Sequence, residues 1–379
     1  VRPRHSYSKQ ELDSHGIAGI NLGLHPDMTS SYRVWIPTRG KVVNTSDVFF
    51  DETFMPWRPK EEQRVGPVFP HSPPHDDIPS SVGQISQPAV GAPHVARTVR
   101  EAFELATRGA KTSALSSKKV LILFSGPYAR PDSLSFFLKR LGFDTELVDN
   151  LSVGGNPGHD LLADAFYHAL LKRVHSGEFF CIFAAPPCST FSVSRFFLPS
   201  DKKPGPAPLR DRLHVEGLPS LSATQRRELL AANGLVARTA ALLAAGWGCG
   251  TQFALESPVD RGDPAYPRHF LNAKHAPIWL LPIIVALAKA TGARSASFAQ
   301  CHFGADVQKR TTMMYSPGLE TWMSQLEKAT CEHSDHKGQV GGSRDADGTW
   351  ASAESSAYPA GLNYFLARAI ASLKLDLNV

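Results

Sequence analysis

The sequence predicts an α/β protein: a doubly wound, mostly parallel sheet flanked by helices, preceded by a small all-β barrel. Three observations predict it. From Lys118 onward, continuous apolar runs alternate with amphipathic stretches, as strands buried on both faces alternate with crossover helices. Ser125-Gly126, Asp149, Cys188 and Glu256 each stand at the end of one such run, where doubly wound sheets place their ligands. The first 59 residues instead carry short β-branched and aromatic runs bounded by turn formers.

In the N-terminal zone, strands are expected at Ile17–Ile20, Tyr32–Ile36, Lys41–Val43 and Asp47–Phe50, with a hairpin turn at Thr38-Arg39-Gly40. Residues 60–115 are rich in Pro, Ser, His and Gly and lack periodicity, which is the composition of a linker. A short helix is expected there at Ala96–Arg108. From residue 116 to 379 a single larger domain follows. Val120–Phe124 reads as a buried parallel strand ending in Ser-Gly, and Ser133–Leu141 as an amphipathic helix. Asp144–Val148 is a second strand, Leu161–His175 a helix, and Phe179–Ala184 a third strand running into Pro-Pro-Cys. Ala223–Ala245 is a long Ala/Leu helix leading to the strand Gln252–Leu255, and Ile278–Ala290 is expected to be a buried helix. Right-handed crossovers should join the parallel strands.

With 42% apolar and 20% charged residues in 379, the chain can build a real core. Its five cysteines form no regular framework, so a reducing, intracellular setting is expected. A net charge of +5 suits a nucleic-acid partner without requiring one. No run of about 18 uninterrupted apolar residues occurs, so no membrane span is expected. The chain starts with Val and shows no signal-peptide pattern, which reads as a piece of something longer.

Pro186 and Pro187 fix the backbone before Cys188, holding the thiol on a stiff loop beyond a strand end. A thiol so placed is a candidate nucleophile or, alone, an ordinary buried cysteine. Four further motifs accompany it: Phe124 to Leu134 (FSGPYARPDSL), Leu255-Glu256-Ser257-Pro258, Phe303 to Arg310 (FGADVQKR), and Ala357 to Leu362 (AYPAGL) followed by an apolar helix to Leu373. Taken in order with Pro186-Pro187-Cys188-Ser-Thr-Phe-Ser, the five resemble the motifs of cytosine-5 DNA methyltransferases over about 260 residues.

That resemblance implies a Rossmann-like sheet that uses S-adenosylmethionine to methylate carbon 5 of cytosine in DNA, in a nuclear setting. It implies Cys188 as the nucleophile that adds to carbon 6 and Glu256 as the contact to N3 and the amino group. Arg310 would hold the O2 edge or a phosphate, and Gln308 would fix the active-site loop. Phe124, Ser125, Gly126, Asp149, Asp160 and Pro186 would line the cofactor site, with Asp149 on the ribose. The target base would have to be flipped out of the duplex. The chain departs from the family at Pro127-Tyr128-Ala129-Arg130, where glycine is usual, and at Thr312, where a second arginine is usual. Only about 40 residues separate Tyr315 from Ala357, too few for a full recognition domain. A second reading is therefore a nucleic-acid-binding module that no longer methylates.

Two other features stand apart. Cys331-x-His333-x-x-His336 has metal-ligand residue types at close spacing, with Cys301 or His302 as a fourth ligand; it reads as a structural zinc site or as a polar loop. Asp201–Arg227, rich in basic residues and prolines, is either a DNA-backbone contact or a solvated surface loop. In the N-terminal zone, Gly16–Ile20, Tyr32–Pro37, Gly40–Val43 and Asp47–Glu52 resemble the SH3-like barrel of copia-type retrotransposon polyproteins, a generic small β domain being the alternative. The whole is expected to be a retroelement polyprotein fragment whose oligomeric state the sequence leaves open.

Overall fold

The computed structural model describes residues 20–24, 32–36, 41–45, 118–128, 130–150, 155–196, 206–336 and 356–373. The chain divides into two compact units, the larger of which includes Ala96–Val379. In the N-terminal zone, β1 (Ile20–Leu24), β2 (Tyr32–Ile36) and β3 (Lys41–Thr45) form a three-stranded sheet in that order. β1 and β2 are antiparallel, with Ile20 opposite Trp35, and Val34 is buried. Of the run predicted at 17–20, Ile20 falls in β1. The rest of that run, the hairpin at 38–40, the strand at 47–50 and all of 60–115 lie outside the described residues.

The larger unit is built on six strands in the order β5-β4-β6-β7-β9-β8. They are β4 (Lys119–Leu123), β5 (Asp144–Val148), β6 (Cys181–Ala184), β7 (Gln252–Pro258), β8 (Arg294–Ala299) and β9 (Arg310–Tyr315). β4 to β7 are mutually parallel, and β9 runs antiparallel to both of its neighbours. From β4 the chain first moves outward to β5 and then returns to lay β6 on the other side of β4. The order therefore reverses between β4 and β6, the crevice where such sheets take ligands.

Burial explains the strand pattern. All four residues of β6 and the last four of β4 are buried, as a central strand covered on both faces requires. Between β4 and β5, α1 (Leu134–Arg140) is capped by Ser133, whose hydroxyl accepts from Phe136 N. α2 (Asp164–His175) leads to β6. It starts three residues later than the apolar pattern predicts, because the Asp160 carboxylate turns back to accept from Leu162 N and holds the chain in a turn.

α3 (Ala223–Gly248) opens with a reciprocal Ser222–Gln225 capping box. Its residues Ala240–Ala245 are wholly buried, small side chains letting the helix lie close on the sheet. By length and hydropathy α3 is able to cross a membrane, but most of that apolar stretch is packed inside the protein.

The expected helix over 278–290 is instead a 3-10 turn, Ile278–Leu280, followed by α4, Pro282–Thr291, with Val285 exposed. Pro282 has no N–H to donate and a fixed φ, so it begins a helix and cannot sit inside one. After β9 come the short α5 (Glu320–Met323) and finally α6 (Ala360–Ser372). Asn363 of α6 donates to Asp132 O (2.8 Å) beside α1.

Candidate active site

All the candidate residues collect at the carboxyl edge of the parallel strands. Glu256 is near the end of β7, and Cys188 follows β6 after Pro186. Because β9 is reversed, its first residue, Arg310, also lies at that edge, paired with Ala299 at the end of β8.

The loop carrying Cys188 is held unusually firmly. Ala185 N donates to Leu123 O at the end of β4 (3.3 Å), and Phe191 N closes a turn on Cys188 O (2.9 Å). The next three carbonyls each take a side-chain donor: Ser189 O from Arg195 Nε (2.6 Å), Thr190 O from Arg210 Nε (3.3 Å), and Phe191 O from His275 Nε2 (2.8 Å). His275 Nδ1 accepts from Arg261 N (3.0 Å), so the proton stands on Nε2. Arg210 is only 1% exposed and lies 3.8 Å above the Phe191 ring. It also donates to Thr190 Oγ1, Val215 O and Asn233 Oδ1. The described part of the 201–227 segment is thus anchored inward through this arginine.

Around the thiol, Glu256 is 5% exposed, and Lys309 Nζ stands 3.9 Å from its Oε1. The same ammonium lies 5.7 Å from the centre of the Tyr358 ring, which packs edge-on against Phe183 of β6. Burial pushes the Cys188 thiol above its ordinary pKa; Lys309 pulls it down and Glu256 adds to the rise. Tyr358 is raised by burial and by the Glu256 and Cys188 charges. Cys188, Glu256, Lys309 and Tyr358 therefore share one electrostatic pocket. Within it, the Tyr358 hydroxyl interacts with the Glu256 carboxylate, but neither Glu256 Oε1 nor that hydroxyl completes a hydrogen bond of good geometry.

On the other side of the crevice, Phe124 takes φ 62°, a left-handed conformation rare for a bulky residue, with its N–H on Val148 O (2.7 Å). Ser125 continues the turn, and Gly126 (φ 70°) donates to Asp149 Oδ2 (2.8 Å). Space in the direction of a Gly126 Cβ is open to 4 Å. Asp149 Oδ1 accepts from Asn150 N (2.9 Å). Burial raises the Asp149 carboxyl, against the lowering effect of these two N–H groups. Asp160 is exposed and caps Leu162, while Pro186 is buried under the Cys188 loop.

Tyr128 bonds through its hydroxyl to His159 Nδ1 (2.8 Å). Arg130 reaches Tyr358 O (2.5 Å) while paired with Asp132 (2.8 Å). Arg130 thus ties the turn after β4 to the segment that leads into α6.

Arg310 faces a different neighbourhood from Lys309. Its NH1 lies 3.4 Å from His269 Nδ1. Burial, then the Arg310, Arg268 and Arg261 charges, lower His269 to about 4. Arg261 is brought down to about 10 by burial and by Arg310. Gln308 stands by the Cys331 thiol. Cys301, Cys331, His333 and His336 each offer a ligand atom, and these four atoms lie within 4.8 Å of one another. His302 is not among them; its ring packs on Phe303. Cys301 is pushed up to about 12 by burial and by neighbouring Cys331. Burial would raise Cys331 too, but hydrogen bonds from His333 N–H, Gln308 and Cys301, with the Arg310 charge, outweigh it and hold this thiol low.

Sequence reasoning passed over Lys309, Tyr358, Arg130, Arg195, Arg210 and His275. Of these, Arg130, Lys309 and Tyr358 carried a signal, since each stands inside one of the motifs that accompany the thiol's own.

Fold and site together define a mixed six-stranded α/β unit with a cysteine–glutamate pocket at the carboxyl edge of its parallel strands, in a chain whose N-terminal zone matches an SH3-like family. Residues 3–63 match the family described as the retroviral polymerase SH3-like domain. Among solved structures, the chain is similar to a mutant DNMT2 from Spodoptera frugiperda, with 12% identity and a TM-score of 0.23. The match covers 58% of this chain and 54% of that one, so this chain spans about half the length of its structural neighbour. No curated protein matches the chain.

Proposed function

We propose that the larger unit of this retroelement-derived chain is a cytosine-5 DNA methyltransferase. One observation carries the reading: in the pocket of the Cys188 thiol, the Glu256 carboxylate, the Lys309 ammonium and the Tyr358 hydroxyl are gathered, and neither Glu256 Oε1 nor that hydroxyl completes a hydrogen bond of good geometry. Such atoms are costly unless a ligand satisfies them, and the ring nitrogen and amino group of a flipped cytosine are suitable partners. S-adenosylmethionine, when bound, supplies an electrophilic methyl group. The residues present fit it, because the Gly126 turn is open and the Asp149 carboxylate keeps lone pairs toward the crevice. Phe124, Ser125, Gly126 and Asp149 would hold it, with Pro186 and Asp160 at the margins.

The chain's own residues then have defined work. Lys309 stabilises the thiolate of Cys188, whose sulfur bonds to carbon 6 of the base. The electron pair of the 5,6 double bond moves toward carbon 5 while Glu256 holds a proton at N3. After carbon 5 is methylated, a water molecule takes its proton, the freed C–H electron pair re-forms the 5,6 double bond, the carbon 6–sulfur pair returns to sulfur as thiolate, and Glu256 takes back the N3 proton. Arg310 and Arg261 offer positive charge to the strand that carries the base.

The test is a covalent trap. The full chain, S-adenosylmethionine and a duplex containing 5-fluorocytosine should give a complex that survives denaturing gels, because fluorine cannot leave carbon 5 as a proton. Cys188→Ser should abolish it. If calorimetry shows cofactor binding while neither duplex nor single strand is trapped, the chain is a binding module and the proposal fails.

A further inference from the structure

We propose that Cys301, Cys331, His333 and His336 form a structural zinc site that pins the segment after α5 to the end of β8. The donor set is complete. It comprises two thiols and two imidazoles, and its four ligand atoms lie within 4.8 Å of one another. The edge of a tetrahedral zinc site is about 3.3–3.8 Å, given bonds of about 2.0 Å to nitrogen and about 2.3 Å to sulfur. Closing on the ion therefore asks each ligand to move by only about an ångström or less. Two contacts are already within that edge or at it: Cys331 Sγ to His336 Nε2 (3.3 Å) and Cys331 Sγ to His333 Nδ1 (3.8 Å).

The surroundings argue against a simple polar loop. Residues 331–336 (CEHSDH) form neither helix nor strand, and His333 is exposed. Yet its ring, that of His336 and the Cys331 thiol all turn toward buried Cys301, which is fixed in the 3-10 turn Gln300–Phe303. The backbone joins the same places, with Ala299 N donating to Ala329 O and Gln300 N to Lys309 O (both 2.9 Å). Glu332 and Asp335, both exposed in the same segment, stay out of the cluster. A set with hard carboxylates would suit calcium or magnesium; soft thiolates with imidazoles select zinc. Four protein ligands leave no open coordination position, so the role is structural. Gln308 and Arg310 adjoin the cluster, so the ion would stiffen the lead-in to β9.

The decisive measurement is metal content of the purified full chain. Elemental analysis should find about one zinc per chain. Exchange for cobalt should give the intense visible and near-ultraviolet bands of a tetrahedral thiolate site. Cys331→Ser and His336→Ala should each lose the zinc and the cobalt spectrum. Should a variant fail to fold, releasing metal from the wild type with a thiol-modifying reagent, read by a chromogenic chelator, gives the same answer. A folded wild-type chain that carries no zinc and takes up no cobalt overturns the proposal. So does a Cys301–Cys331 disulfide found by mass spectrometry in protein purified with excess zinc and without added oxidant.

Discussion

At Cys188 two opposite charges compete for one proton. Lys309 favours the thiolate, Glu256 opposes it, and burial opposes it further, so the resting thiol sits above its ordinary pKa. The thiol is therefore mostly protonated at neutral pH, and its alkylation by iodoacetamide should accelerate as pH rises past the usual thiol range. At a fixed pH, Lys309→Met should slow alkylation by roughly 3- to 10-fold, because losing the ammonium leaves a smaller fraction of thiolate. Glu256→Gln should speed it by a similar factor while slowing adduct formation on DNA, since the base loses its partner. Alkylation that slows in Glu256→Gln would mean that the carboxylate does not face the thiol. The role of Lys309 follows from backbone geometry. Before β9 the chain turns, with Lys309 N on Val307 O (3.0 Å), so that Gln308 and Arg310 meet the Cys331 cluster and His269 while Lys309 meets Glu256. The motif was legible in the sequence, but the side each of its residues takes was not. Tyr358 could not be found that way, because its place depends on a return of the chain from more than a hundred residues beyond Cys188.

Among the elements, the loop over Cys188–Phe191 owes its shape to donors that come from elsewhere in the chain. Arg210→Leu would leave Thr190 O and Thr190 Oγ1 without this donor inside the protein. A loss of about 2–4 kcal/mol is expected, read as a lower denaturant midpoint. Arg210→Lys should recover little, since an ammonium cannot reproduce the planar fork stacked on Phe191. A midpoint unchanged in Arg210→Leu would show that the loop holds itself. β2 to β6 were legible to within about two residues, the buried parallel ones because such a strand is written as an uninterrupted apolar run, but β1 and β7 were set three residues or more off and β8 and β9 were not expected at all. β5 was legible with its observed bounds. The helix misses have local causes: Asp160 delays α2, and Pro282 splits the predicted helix. Arg210 was read as part of a surface or DNA-contact segment, since sequence shows a charge but not the carbonyls it will meet.

For the whole molecule, stability should fall in mild acid. His269 is held at about 4 in the fold, by burial and by three arginines, against about 6.5 in an unfolded chain. The unfolded state therefore binds the proton first. The contribution is fully present above about pH 6.5 and disappears as pH falls toward 4. His269→Gln should flatten the thermal midpoint across that window; an equally steep decline in the variant would place the acid sensitivity elsewhere. At this scale the doubly wound parallel core and the shared edge of Cys188 and Glu256 were legible, since both follow from parallel strands, whereas the strand order and the reversed β9 were not. The tie from Arg130 to Tyr358 O was not, for it spans 228 positions. That tie bears on synthesis. At about 5–20 residues per second, on the order of tens of seconds pass between the emergence of Arg130 and that of Tyr358. A ribosome-bound chain can already have laid down β4 to β7 and still lack the tyrosine that shares the thiol's pocket. The pocket around Cys188 is thus completed only by a segment made well after the strands that frame it.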